Sequence, residues 1–202
     1  MTFVADFTFD SPGHGSRLAV FNGTNIEFMC EQGQSQKCGI VSGEIYAMAV
    51  MQNQLFVGGN FVRVGSLNVN NLARWNGLQW HSVTSINGVI YALEAFQSKL
   101  VIGGEFTLCD GQRTLNLAEY TSGYCSSIID GLNGPVYDLS AVDNCLYVCG
   151  SFNSTKTQQA LYNIKIQNLV RWCVGERSSI SLEAIDFGSM NAMGCRAISK
   201  VS

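Results

Sequence analysis

Side chains able to do chemistry are few and scattered along this sequence. Eight cysteines stand at 30, 38, 109, 125, 145, 149, 173 and 195, and the two histidines are His14 and His81. No Cys-x-x-Cys pair occurs, so zinc ribbons and thioredoxin-type redox sites are not expected. His14 lies in the loop Ser11-Pro12-Gly13-His14-Gly15 and His81 on an alternating, half-exposed segment; two such histidines give poor means of building a metal site. There is no His-Glu-x-x-His, no Gly-x-Ser-x-Gly elbow and no phosphate-binding glycine loop with lysine. Glu105, Asp110, Asp138, Asp143 and Asp186 fall in or beside loops. No spacing fixes two of them for acid–base work, and no Asp-x-Asp-x-Asp loop offers a calcium site. The expectation is a chain that is not an enzyme and holds no cofactor or metal.

The cysteines read instead as staples. Cys30 and Cys38 bracket the short polar loop EQGQSQK and could close it. Cys109 and Cys125 stand 45 residues after Val64 and Trp80, so a bridge there could replace an apolar contact. Cys145, Cys149, Cys173 and Cys195 allow three pairings, although Cys145 and Cys149 share one strand face at a separation too long for a direct bond. Two glycosylation sequons, Asn22-Gly23-Thr24 and Asn153-Ser154-Thr155, join the cysteines in favouring an oxidising compartment, extracellular or at a cell surface. The start MTFVADFTFDSPG lacks the features of a signal peptide, so secretion implies one already removed or a longer parent chain.

These groups are carried by a repeat. Residues 43–83 and 88–128 align without a gap at an offset of 45, and a third copy opens at Gly134 and resumes at Asn168 after an insertion. Segments 16–29 and 188–199 match the second half and the opening of further copies. The expected units are 1–42 (completed by 188–202), 43–87, 88–133 and 134–187, within one domain spanning 1–202.

Four short strands are expected per unit. The first, Ile45–Met51 or Val89–Phe96, is apolar at nearly every position and so is expected to be buried on both faces. The second, Leu55–Val57 or Leu100–Ile102, runs into Gly58-Gly59 or Gly103-Gly104. The third is Asn71–Trp75, Asn116–Tyr120 or Asn168–Trp172, and the fourth, Gln79–Val83, alternates like a half-exposed edge. Asn76-Gly77 and Asn22-Gly23 are hairpin turns between strands three and four.

Polarity rising from first strand to fourth is what a radial four-stranded blade requires, so the fold class is all-β, a β-propeller of four antiparallel repeats. A solenoid explains the gradient less naturally. The ends of the chain carry complementary parts of one unit. That fits a closed small ring, a segment of a larger propeller or array, or ends that pair between molecules.

The pattern L-[FY]-V-G-G-x-F followed by N-L-A-R-W-N-G-x-x-W, best seen at 55–83, resembles the repeats of extracellular β-propeller proteins. Fungal cortical polarity-marker proteins and many microbial surface proteins carry similar units, and kelch repeats are more distant. The resemblance implies a propeller ectodomain with a surface or adhesion role and no catalytic residues to carry over. The sequence departs from the pattern at Ala5-Asp6 and Cys149-Gly150, in the double-glycine position, and in the insertion at 153–167.

Composition narrows the partners. Charged residues make up 13% of the 202 positions, against about 25% in average proteins, and net charge is −3. No basic run exists to bind nucleic acid, and no apolar stretch approaches the about 18 residues of a membrane span. The expected function is structural or adhesive, holding other protein chains, including copies of itself in a polymer. The alternative is a carbohydrate-binding, lectin-like propeller. Trp75, Tyr120, Trp172 and Phe21 recur at one position and are expected to pack between blades. Trp80, Tyr124 and Tyr162 are irregular, and they are the candidate binding surface on which a glycan or protein partner would stack. The insertion Phe152–Asn168 and loop 31–42 are further places for partner contacts.

Overall fold

The computed structural model describes residues 3–7, 17–21, 23–33, 41–155, 168–174 and 180–184. Every regular element among them is a strand. The first sheet holds β1 (Phe3–Phe7), β2 (Arg17–Phe21) and β3 (Ile26–Phe28), in that order. The second runs β4 (Val41–Met51), β5 (Gln54–Val64), β7 (Leu72–Trp75) and β8 (Trp80–Ser82), with β6 (Leu67–Asn68) folded onto β5. In the third, β9 (Val89–Phe96), β10 (Lys99–Glu105), β13 (Leu117–Thr121) and β14 (Tyr124–Ser127) follow the same order, and β11 (Leu108–Cys109) pairs β12 (Gln112–Arg113) as a small hairpin. The fourth is β15 (Val136–Val142), β16 (Cys145–Gly150), β17 (Leu169–Val174) and β18 (Ile180–Ala184). All pairings within these sheets are antiparallel.

Local chemistry sets these hairpins. Between first and second strands lie two-residue turns with positive φ, at Gln52-Asn53 (50° and 62°) and Gln97-Ser98 (49° and 62°), the hand that matches strand twist. At Asn76-Gly77 the glycine has φ 100°, and Asn76 Oδ1 accepts from the backbone N–H groups of Leu78 and Gln79 at 2.9 Å each.

The sheets pack face to face through apolar side chains. Met51, Phe56 and Leu72 of the second sheet share one core with Ile90, Leu93 and Ile102 of the third. Phe96, Val101 and Leu117 of the third share the next core with Leu139, Val148 and Val170 of the fourth. Phe96 and Trp172 also bring their rings within 6.0 Å across that boundary.

Asparagine at the head of the third strand ties one unit to the next in the second and third sheets. Asn116, at φ 68°, accepts at Oδ1 from the Phe106 N–H (3.1 Å) and donates from Nδ2 to the Leu132 carbonyl (2.9 Å), just before the next first strand. Asn71 repeats this with Phe61 (3.1 Å) and Ile86 (3.3 Å). An asparagine tolerates the left-handed backbone and offers donor and acceptor together, which explains its place in the motif.

The second strands continue through the glycine pairs instead of stopping at them. A Cβ on Gly103 would stand 2.5 Å from Val136 Cγ1 of the next sheet, and one on Gly104 2.1 Å from the Val89 carbonyl oxygen. The first glycine therefore admits the neighbouring first strand, and the second admits the strand's own partner. In the first sheet Asp6 lies opposite Leu18 as Gly103 lies opposite Leu117, so Asp6-Phe7, and not Ala5-Asp6, takes the double-glycine position.

Burial of the first strands differs from expectation. Tyr46 is 46% and Val50 64% exposed on β4, so this strand is not covered on both faces. The same strand breaks its side-chain alternation at Tyr46, which builds the site below.

Candidate functional site

Each of the three described first strands, β4, β9 and β15, carries a β-bulge opposite the double-glycine position. Pairing with the second strand shifts between Ile45 and Ala47, between Ile90 and Ala92, and between Val136 and Asp138. The residues that fall at these shifts are Tyr46, Tyr91 and Tyr137. A bulge re-aims the side chain it carries, and here it re-aims the same one three times. The rings form a row across three sheets, with centroids 5.7 Å apart between Tyr46 and Tyr91 and 5.6 Å between Tyr91 and Tyr137. Their planes are tilted by 41° and 54°, an arrangement that suits the positive edge of one ring against the negative face of the next.

Two carboxylates accompany the row. The Tyr46 hydroxyl donates to Glu44, and the Tyr91 hydroxyl donates to Glu105 at 3.5 Å. Both carboxylates are exposed. The bond to Glu44 raises the Tyr46 phenol above its ordinary value, with burial and the charge of Glu44 adding to the effect. Sequence reasoning passed over these tyrosines because they sit in an apolar run. The signal was there: tyrosine stands three residues after glycine in GEIY, GVIY and GPVY.

Trp80, expected on an open surface, is 4% exposed. Its ring packs on Trp75, centroids 5.2 Å apart, and Gly65 lies close enough that a Cβ there would be 2.9 Å from Trp80 Cδ1. Chain from before the second sheet covers it. Glu31, itself buried, accepts from the backbone N–H groups of Ser66 (3.0 Å) and Trp80 (3.5 Å), and the Gln32 N–H donates to the Leu78 carbonyl (3.3 Å). A glutamate in a polar loop reads as solvated, so this anchor was not foreseen. Tyr124 is 80% exposed. Tyr162 and Asn22 lie outside the described residues. Asn153 is exposed; its Oδ1 accepts from Asn133 Nδ2 at 2.7 Å.

Cys109 and Cys125 form a disulfide where the preceding unit has buried Val64 and Trp80. Cys145 and Cys173 form a second, across directly opposed positions of β16 and β17 with Cα atoms 4.0 Å apart. The neighbouring Val174 N–H bonds the Asn144 carbonyl at 3.0 Å, which makes the cysteines a non-hydrogen-bonded pair, the closer of the two antiparallel kinds. Cys30 and Cys149 each take part in a disulfide too, with the partner of neither among the described residues. Cys38 and Cys195 lie outside the described residues.

The remaining candidates do not converge. Among the described residues no three His, Cys, Asp or Glu side chains gather as a metal site. His81 Nε2 lies 2.9 Å from Asn76 Nδ2. Asp110 and Asp143 occupy turns with φ 51° and 52°, and Asp138 Oδ1 accepts from the Leu139 N–H at 2.9 Å. His14 and Asp186 are outside the described residues. A cleft of about 320 Å³ between third and fourth sheets is lined by Phe96, Ile129 and Trp172, and by Lys99 paired with Glu119 at 2.8 Å.

Comparison with known proteins fits this architecture. No curated protein sequence matches the chain. Residues 18–181 match the family model of the Rax2 C-terminal beta propeller domain, a match that runs from β2 to the start of β18. With its repeated antiparallel sheets and bulged first strands, the chain belongs to the Rax2 C-terminal β-propeller family.

Proposed function

We propose that this chain is a non-catalytic β-propeller, extracellular or at a cell surface, that holds other protein chains and has a structural role in polarity or adhesion. The observation that carries the reading is the row of Tyr46, Tyr91 and Tyr137, one ring from each of three consecutive sheets. Rings presented at the same bulge of successive units form a contact surface. Membership of a propeller family associated with fungal polarity markers supports a surface role. The Cys109–Cys125 and Cys145–Cys173 bridges suit an oxidising compartment.

In this reading four units make the ring. β1 pairs β2 as second strands pair third strands in the other sheets, which leaves its outer edge in the place of a first strand. The segment 188–199, which reads as the opening of a unit, lies outside the described residues.

Antibody labelling of an epitope-tagged protein on intact and permeabilised cells tests the location. Equal labelling of both is expected. Signal only after permeabilisation overturns the surface reading.

A further inference from the structure

We propose that Tyr46, Tyr91 and Tyr137, with Glu44 and Glu105 beside them, bind an extended, arginine-bearing segment of a partner protein. The inference rests on the reading of the chain as a partner-holding propeller and names the chemistry of what is held. Aromatic faces next to carboxylates attract cations, because ring quadrupole and ionic charge act on the same group. Arginine suits the pair best: its planar guanidinium lies on a ring while its N–H fork reaches a carboxylate. Each carboxylate accepts from a tyrosine hydroxyl and keeps further acceptor positions open, so the acids are oriented before a ligand arrives.

Spacing favours an extended chain. The rings repeat every 5.6–5.7 Å, and alternate side chains on an extended strand lie about 6.7 Å apart on one face. Arginines at alternate positions therefore meet successive rings with modest adjustment. The chain's own net charge of −3 adds a weak attraction of the same sign. Neutral glycans could also stack on tyrosine, but the ionised acids would then contribute hydrogen bonds without charge pairing.

The test uses the full oxidised chain and a fluorescent peptide of alternating arginine and serine, capped at both ends, followed by anisotropy. Saturable binding that weakens with salt is expected. Tyr91→Ala and the double variant Glu44→Gln/Glu105→Gln are each expected to weaken it about tenfold or more. Tyr91→Phe keeps the ring and is expected to lose only a few-fold. Far-UV circular dichroism and a thermal melt confirm that each variant folds, and Leu78→Ala, exposed in the turn between β7 and β8 and remote from the row, is expected to bind as the parent does. Absence of peptide binding overturns the proposal, as does binding that none of the row variants changes. Binding of a neutral oligosaccharide at the row, without the peptide, overturns it in favour of a glycan. Surface labelling is independent of these outcomes, so a failed peptide leaves the broader reading standing.

Discussion

Tyr91 and Tyr137 belong to different sheets, yet their rings pack with centroids 5.6 Å apart because each stands at the same bulge of its own first strand. Tyr46 extends the contact on the other side of Tyr91. The row is thus a product of the repeat. One local defect, copied three times, becomes a surface that no single unit possesses.

The hydroxyl of Tyr46 reports on that surface. Glu44 accepts its proton's hydrogen bond, so the phenol is expected to ionise above 10.0 in the folded protein. The protonated phenol is the favoured form, so any stability from this bond is present below pH 10 and is lost as pH rises through the folded value. Alkaline absorbance titration, with Tyr46→Phe subtracted to isolate this tyrosine, is expected to show it. Glu44→Gln is expected to move the transition down toward 10.0.

Asn116 is expected to matter more to stability than its half-exposed position suggests. Asn116→Ala removes two hydrogen bonds and leaves an alanine at φ 68°. A loss of about 1–3 kcal/mol is expected in urea unfolding. Asn116→Gly loses the bonds without the backbone penalty and is expected to cost less.

Gly103 and Val136 are expected to be coupled. A Cβ on Gly103 meets Val136 Cγ1 at 2.5 Å, so Gly103→Ala should overpack the boundary between third and fourth sheets. About 1–3 kcal/mol is the usual cost of such a clash. Val136→Ala removes the clashing methyl, so the double variant is expected to lose less than the sum of the single ones in a denaturation cycle.

Glu31→Ala is expected to loosen the cover over Trp80. Two backbone N–H groups, those of Ser66 and Trp80, lose their acceptor. Unfolding in urea is expected to require about 1–3 kcal/mol less, and acrylamide is expected to quench tryptophan emission more readily than in the parent. Glu31→Gln keeps a carbonyl oxygen and is expected to fall between.

Sequence patterning made the repeated strands legible because turn residues, glycine pairs and the Asn-Leu heads recur where backbone geometry demands them. The Cys109–Cys125 bridge was legible for the same reason, its positions being those of Val64 and Trp80 one unit earlier. Two features escaped. Trp80 looked open because its cover, Glu31, comes from another unit and is polar. Tyr46 looked buried because an apolar run was read with regular alternation, and a bulge breaks alternation without any change in composition. Periodicity records the regular part of a strand, whereas the candidate site is built on its interruptions.

The most direct test of a partner-holding tyrosine row is site-specific photo-crosslinking in cells. A benzophenone side chain is placed at position 89, opposite Glu105, and separately at Gln52 in the turn at the far end of the neighbouring first strand. A discrete protein adduct from position 89 and none from Gln52 is the expected result, with the adduct lost in the Glu44→Gln/Glu105→Gln background. Equal adducts from both positions, or none from position 89, would contradict the account.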